Sequence, residues 1–178
     1  MNPGPTIVAA TLVFIVLCVA SDLRSLRIPN VITGPAIVAG FALNAWQSGP
    51  AGMLGSLGGF ALAVALLFAP FALGGVGAGD VKMMGAVGAL LGPRLVLQSL
   101  FLGLVLGGVF AIVRLAGSPL LREKLVASWR MVANAVLARS LAPLKAPASD
   151  PHAIVLPYSL PLGIGTVSVI ALSMVATS

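Results

Sequence analysis

Cysteine, histidine and acid are nearly missing from this chain. Of its 178 residues one is cysteine, one is histidine and four are acidic. Cys18 alone allows no internal disulfide and no CxxC metal site. It falls in the first apolar stretch, where a thiol packs as a small hydrophobe. His152 stands next to Pro151 in a polar stretch and reads as a solvated linker residue, so there is no His-based zinc site and no Ser–His or Cys–His arrangement. No metal and no other cofactor is implied. Charge is scarce as well: 8% of the chain, against about 25% in an ordinary soluble domain. Too few polar side chains remain to cover a water-facing surface, which excludes a soluble globular fold. The opening "MNPGPTIVAATLVFIVLCVASDL" has no positive charge ahead of its apolar run. A cleavable signal needs one, so this run reads as a retained first span.

Hydrophobes take the place of what is lacking, at 59% of residues and a mean hydropathy of +1.12. A membrane helix needs about 20 apolar residues to cross about 30 Å of hydrocarbon. Six candidates follow, at 5–21, 30–47, 53–73, 80–92, 95–115 and 153–176. Trp46 is a candidate interface anchor, and Pro157 and Pro161 lie near the start of the last span. The fourth segment is short and stops at Gly92-Pro93-Arg94. We read it as starting below the membrane surface, with 74–79 as a glycine-rich loop dipping into the bilayer behind neighbouring helices. The expected fold is all-α: one polytopic helical bundle spanning 1–178, with six transmembrane helices and an amphipathic helix on the cytoplasmic side.

The net charge of +6 does not point to nucleic acid, because the bases are scattered at helix ends among apolar stretches. A membrane surface accounts for them. With six spans, Arg24, Arg27, Lys82, Arg114, Arg122, Lys124, Arg130, Arg139 and Lys145 share one side and Arg94 lies on the other. That bias puts the basic side in the cytoplasm and both termini outside. Residues 118–145 open on Ser118-Pro119 and carry Leu121, Leu125, Trp129, Val132, Val136 and Leu137 at roughly helical spacing. They read as a helix on the inner leaflet, an anchor or spacer in the first instance and a substrate dock in the second. A Pro/Ala linker follows at 142–152.

Two of the four acids need explaining. Glu123 and Asp150 fall in the polar stretch, where solvation suffices. Asp22 closes the first span and Asp80 follows the third. Both odd-numbered spans run inward, so both acids reach the cytoplasmic end of the bundle. Paired carboxylates do not both ionise cheaply: one keeps a proton while the other acts as a base. Such a pair can activate water and protonate the amine that leaves a peptide bond. Simpler roles stand beside this one. Asp22 could pair with Arg24 or Arg27, and Asp80 could pair with Lys82 or cap the fourth helix. Two other functions also fit buried acids: a small ion-coupled transporter with Asp22 and Asp80 as proton or cation sites, and a structural subunit of a secretion assembly.

Gly77-Ala78-Gly79-Asp80 followed by Lys82, together with "DLRSLRIPN" from Asp22 to Asn30, resembles the type IV prepilin peptidase family, the GxGD aspartic membrane proteases. "LPYSLPLGIG" at 156–165 is more loosely similar to the proline-containing start of that family's last helix. The resemblance implies an endopeptidase that removes the leader of prepilin-like proteins at the cytoplasmic face of the bacterial inner membrane. It implies Asp22 and Asp80 as the catalytic pair and Gly77 and Gly79 as the residues that let the loop place Asp80. Lys82 would tune the loop's charge or bind a backbone carbonyl, and Ile28, Pro29 and Asn30 form a candidate structural motif. The partners implied are membrane lipid and a prepilin or pseudopilin whose apolar helix lies beside the bundle. Large bifunctional members add an N-terminal region with CxxC pairs and also methylate the product. Here the first span begins almost at Met1 and Cys18 is the one cysteine, so peptidase activity without methyltransferase activity is expected. The short form resembles the peptidases of Flp/Tad pilus systems; archaeal preflagellin peptidases stay open.

Overall fold

The computed structural model describes residues 3–72, 76–116 and 158–176, and all its regular elements there are α-helices. They are α1 (Pro5–Ser25), α2 (Asn30–Ala72), α3 (Ala78–Ala116) and α4 (Ser159–Val175). The expected surface helix at 118–145 and the linker at 142–152 lie outside the described residues, as do Glu123, Asp150 and His152.

α1, α2 and the Ala78–Phe110 stretch of α3 are long and apolar enough to cross a membrane. α2 has 43 residues and as a straight rod would measure about 65 Å, twice the hydrocarbon thickness. It is not straight. Gly49 adopts φ 58°, ψ −144°, and Gly92 in α3 adopts φ 78°, ψ 179°. Residues with a Cβ rarely take such positive φ values. Pro50 and Pro93 follow, and neither can donate the N–H that would continue the helix.

At both glycines the chain doubles back. Gly40 and Gly59 lie on opposite sides of Gly49, yet both meet α3 near Gly88 and Ala89. A Cβ on Gly40 would come within 2.8 Å of the Ala89 carbonyl carbon, and one on Gly59 would strike the Gly88 carbonyl oxygen. In the same way Met83 and Gly103, on opposite sides of Gly92, both meet α4 around Leu162 and Gly163. Close backbone approach of this kind is how helices pack in a medium that gives no hydrophobic drive between them.

Pro93 leaves the Ala89 carbonyl without its helical donor, and the break at Gly92 frees that of Leu90. Asn44 replaces both, with Nδ2 at 3.0 Å from each oxygen and 2.9 Å from the Gly40 carbonyl. The Ser56 hydroxyl also donates to the Ala89 carbonyl. One polar side chain from each half of α2 therefore secures the break in α3.

Residues 83–91 of α3 are buried on every side, so this stretch is the axis of the bundle. α4 fits between α1 and α3: a Cβ on Gly163 would lie 3.0 Å from Ile15 and 3.2 Å from Val19, with the Met83 methyl at 3.9 Å. The outer surface carries large apolar side chains such as Val16, Leu54, Phe101 and Val105, and Trp46 projects freely. Such a surface suits hydrocarbon rather than water.

Two expected boundaries shift. The first helix does not end at Ser21-Asp22 but continues to Ser25, and stops where Leu26 turns left-handed at φ 51°, its N–H bonded to the Asp22 carbonyl at 2.8 Å. Asp22 is thus a helical residue rather than a terminus. Likewise α3 begins at Ala78 rather than at 80, so Gly79 is not a loop residue but belongs with Asp80 to its first turn.

The packing at Gly59 yields a direct comparison. Gly59→Val is expected to lower stability by about 1–3 kcal/mol through overpacking. Gly58→Val, where a new Cβ meets nothing within 4 Å, should stay close to the parent. Thermal unfolding of the two purified variants in one detergent measures the difference.

Candidate active site

The turn between α1 and α2 is tight and held from within. The Ser21 and Ser25 hydroxyls donate to the Arg27 carbonyl at 3.0 and 3.2 Å, and Ser25 also reaches the Ser21 carbonyl at 2.9 Å. Pro29 then starts α2, its carbonyl accepting from Ile32 at 3.0 Å and Thr33 at 3.4 Å. Ile28 is buried beneath this turn.

The first turn of α3 rests on Ile28. A Cβ on Gly79 would lie 3.3 Å from Ile28 Cβ and 3.5 Å from its backbone nitrogen, so glycine permits the approach. The Gly77 carbonyl accepts from Asp80 at 3.1 Å and Val81 at 3.3 Å, which winds the turn. The Gly77 N–H in return bonds the Asp80 carboxylate, and a Cβ on Gly77 would stand 3.2 Å from Asp80 Oδ2.

A second contact ties the same elements. Lys82 Nζ donates to Asn30 Oδ1 at 2.8 Å. Of the two roles expected for Lys82, tuning the loop's charge or binding a backbone carbonyl, the second differs in its acceptor, which is the side-chain amide of Asn30. Arg24 and Arg27 are exposed.

Asp22 and Asp80 are both buried, at 8% and 9% exposure, and the charge of Asp22 acts on Asp80 through space. Cys18, one turn before Asp22 and fully buried, feels both. Asp22 Oδ2 accepts a hydrogen bond of 2.5 Å from the Ser159 hydroxyl, at the start of α4. Asp80 occupies the first turn of α3, so each carboxylate meets the positive end of a helix. A groove of about 440 Å³ opens between α1 and α4, lined by Ile15, Val19, Leu23, Leu160, Ile164 and Val167 among others. Among the described residues no three His, Cys, Asp or Glu side chains gather as a metal cluster would require.

A sequence model of the type IV leader peptidase family matches residues 9–112, a region that includes Asp22, Gly77, Gly79, Asp80 and Lys82. The chain belongs to that family. A prepilin leader peptidase/N-methyltransferase of Bacillus subtilis (strain 168) is 30% identical over 138 residues, covering 75% of this chain and 54% of the relative. The chain thus spans about half the length of that curated relative. No solved structure matches it.

In this member of the leader peptidase family, sequence reasoning picked out the two acids, the two glycines and the Ile-Pro-Asn segment, and the fold brings all of them to one end of the bundle. It missed Ser159. The stretch around Ser159 drew notice for its prolines, but no local pattern ties its hydroxyl to an acid 137 positions away.

Lys82 and Asn30 should behave as a coupled pair. In a double-mutant cycle of Lys82→Met and Asn30→Ala, the double variant is expected to lose less stability than the singles summed, by about 0.5–1.5 kcal/mol. Thermal unfolding of the four proteins measures this coupling.

Proposed function

We propose that this chain is an aspartic endopeptidase that removes the leader peptide of type IV prepilin-like proteins, with Asp22 and Asp80 as its catalytic pair. The observation that carries the reading is two buried carboxylates, one near the end of α1 and one in the first turn of α3, gathered by the contact of Gly79 with Ile28 inside the stretch that matches the leader peptidase family. Among the described residues, Lys82 hydrogen-bonds Asn30, and Arg24 and Arg27 are exposed.

The chemistry follows from the pair. One carboxylate accepts a proton from a water that attacks the carbonyl carbon of the scissile peptide, giving a tetrahedral intermediate. The other supplies a proton to the departing amine as the C–N bond breaks. The protons then redistribute across the pair, and no group on the enzyme is consumed. Burial keeps bulk water from competing with the attacking one.

The wider setting belongs to the same proposal. The two halves of α2 and of α3, with α1 and α4, supply six segments for six crossings. The nine-to-one distribution of Lys and Arg in the sequence then sets the acids at the cytoplasmic face of the inner membrane and both termini outside. The substrate's apolar helix lies beside the bundle, a placement supported by the apolar groove between α1 and α4. Peptidase activity without methyltransferase activity, on an Flp-type pilin, belongs to the same proposal.

Co-expression with a candidate prepilin, followed by gel shift, tests the reading. Asp22→Asn and Asp80→Asn nearly preserve size and remove the acid. Each is expected to abolish leader removal while the protein still accumulates in the membrane. Normal processing by both variants would show the catalytic assignment to be wrong.

A further inference from the structure

We propose that Ser159 is a positioning residue for Asp22, fixing the orientation of that carboxylate through a hydrogen bond delivered across the bundle by α4. The inference rests on the reading of Asp22 as one of the catalytic pair. The Ser159 hydroxyl is fully buried and donates to Asp22 Oδ2 at 2.5 Å. Ser159 lies outside the stretch that matches the family model.

A buried hydroxyl in a helix ordinarily turns back on its own helix. Thr11 donates to the Ile7 carbonyl at 2.7 Å, and Thr166 to the Leu162 carbonyl at 2.8 Å. Each is matched locally and has nothing left to donate. Ser159 differs: it is the first residue of α4, and its hydroxyl donates to α1 instead. Nor does it cap its own helix, since Tyr158 holds the N-cap position and makes no side-chain cap bond. Its one O–H is therefore free to reach another element, and the acceptor it meets is Asp22.

The donor is also held still. Gly163 lets α4 press on Ile15 and Val19 of α1, and Gly165 and Gly103 bring α4 and α3 together, with a Cβ on Gly165 only 2.6 Å from the Gly103 nitrogen. Four residues separate Ser159 from Gly163, so the hydroxyl is one turn from the tightest α1–α4 contact. Asp22 is on α1 and cannot move without breaking either this hydrogen bond or that packing. A carboxylate that must present one oxygen to a water gains from being locked in one rotamer by a rigid neighbour. A bond from Ser159 to Oδ2 leaves Oδ1 as the oxygen free to act.

The full chain, purified in detergent, with a synthetic prepilin-like peptide spanning the leader junction, provides the test. Ser159→Ala is expected to lower kcat about ten-fold with KM nearly unchanged, because the residue acts on the chemical step rather than on binding. Ser159→Thr keeps the hydroxyl and should recover most of that loss. A parental kcat in Ser159→Ala overturns the inference, as does a loss confined to KM or a loss that Ser159→Thr does not recover. Asp22→Asn and Asp80→Asn, run alongside, separate the two levels. If they cleave the peptide at the parental rate, the peptidase reading itself fails. If they are inactive while Ser159→Ala matches the parent, only the role of Ser159 falls.

Discussion

The first turn of α3 lies against the turn that joins α1 to α2, and the proposed pairing of Asp22 with Asp80 depends on that contact. Asp22 is fixed by α1 and Asp80 by α3, 58 positions apart, so nothing local brings them together. What does is the approach of Gly79 to Ile28, made possible by the missing side chain, and the hydrogen bond from Lys82 to Asn30 alongside it. The cost of gathering two carboxylates is offset in part by helix geometry. Asp80 sits in the first turn of α3, and Asp22 faces the first residue of α4. Both positions favour negative charge.

That contact needs a rigid frame, and the frame is made by removing side chains rather than adding them. Gly40, Gly59, Gly88, Gly103, Gly163 and Gly165 each bring backbone or side chain of another helix closer than a Cβ would tolerate without adjustment. Gly49 and Gly92 serve a different end, since their positive φ values fold two long helices back on themselves. The carbonyls released by the second fold are taken up by Asn44 and Ser56. In hydrocarbon an unmatched carbonyl is expensive, so a break of this kind needs a partner from a neighbouring helix.

Much of this was legible in the sequence, for identifiable reasons. Low charge and long apolar runs foretold an all-helical chain with helices long enough for a membrane. The Gly92-Pro93 step marked one break, because those two residues have backbone requirements that show in sequence, while the other, at Gly49-Pro50, fell unnamed in the gap between the spans at 30–47 and 53–73. Asp22 and Asp80 stood out because acids are so rare here. Less legible was everything that depends on a distant partner. Asn44 drew no notice in the second apolar span, and its value appears only when the Ala89 and Leu90 carbonyls arrive beside it. Lys82 invited a reading in terms of backbone, and its acceptor proved to be a side chain 52 positions earlier. Helix ends were misjudged by a few residues at Asp22 and Asp80, where serine hydroxyls and the carbonyl of Gly77 decide the turn.

The most direct test of the central claim is a cross-link between the two acidic positions. In a Cys18→Ser background, Asp22→Cys and Asp80→Cys would be combined and treated in native membranes with a short bifunctional thiol reagent, and the joined peptides identified by mass spectrometry. The account predicts efficient intramolecular linkage in the double-cysteine protein and none in either single-cysteine control. Modification of both thiols without linkage would contradict it, because the two side chains would then not share a site.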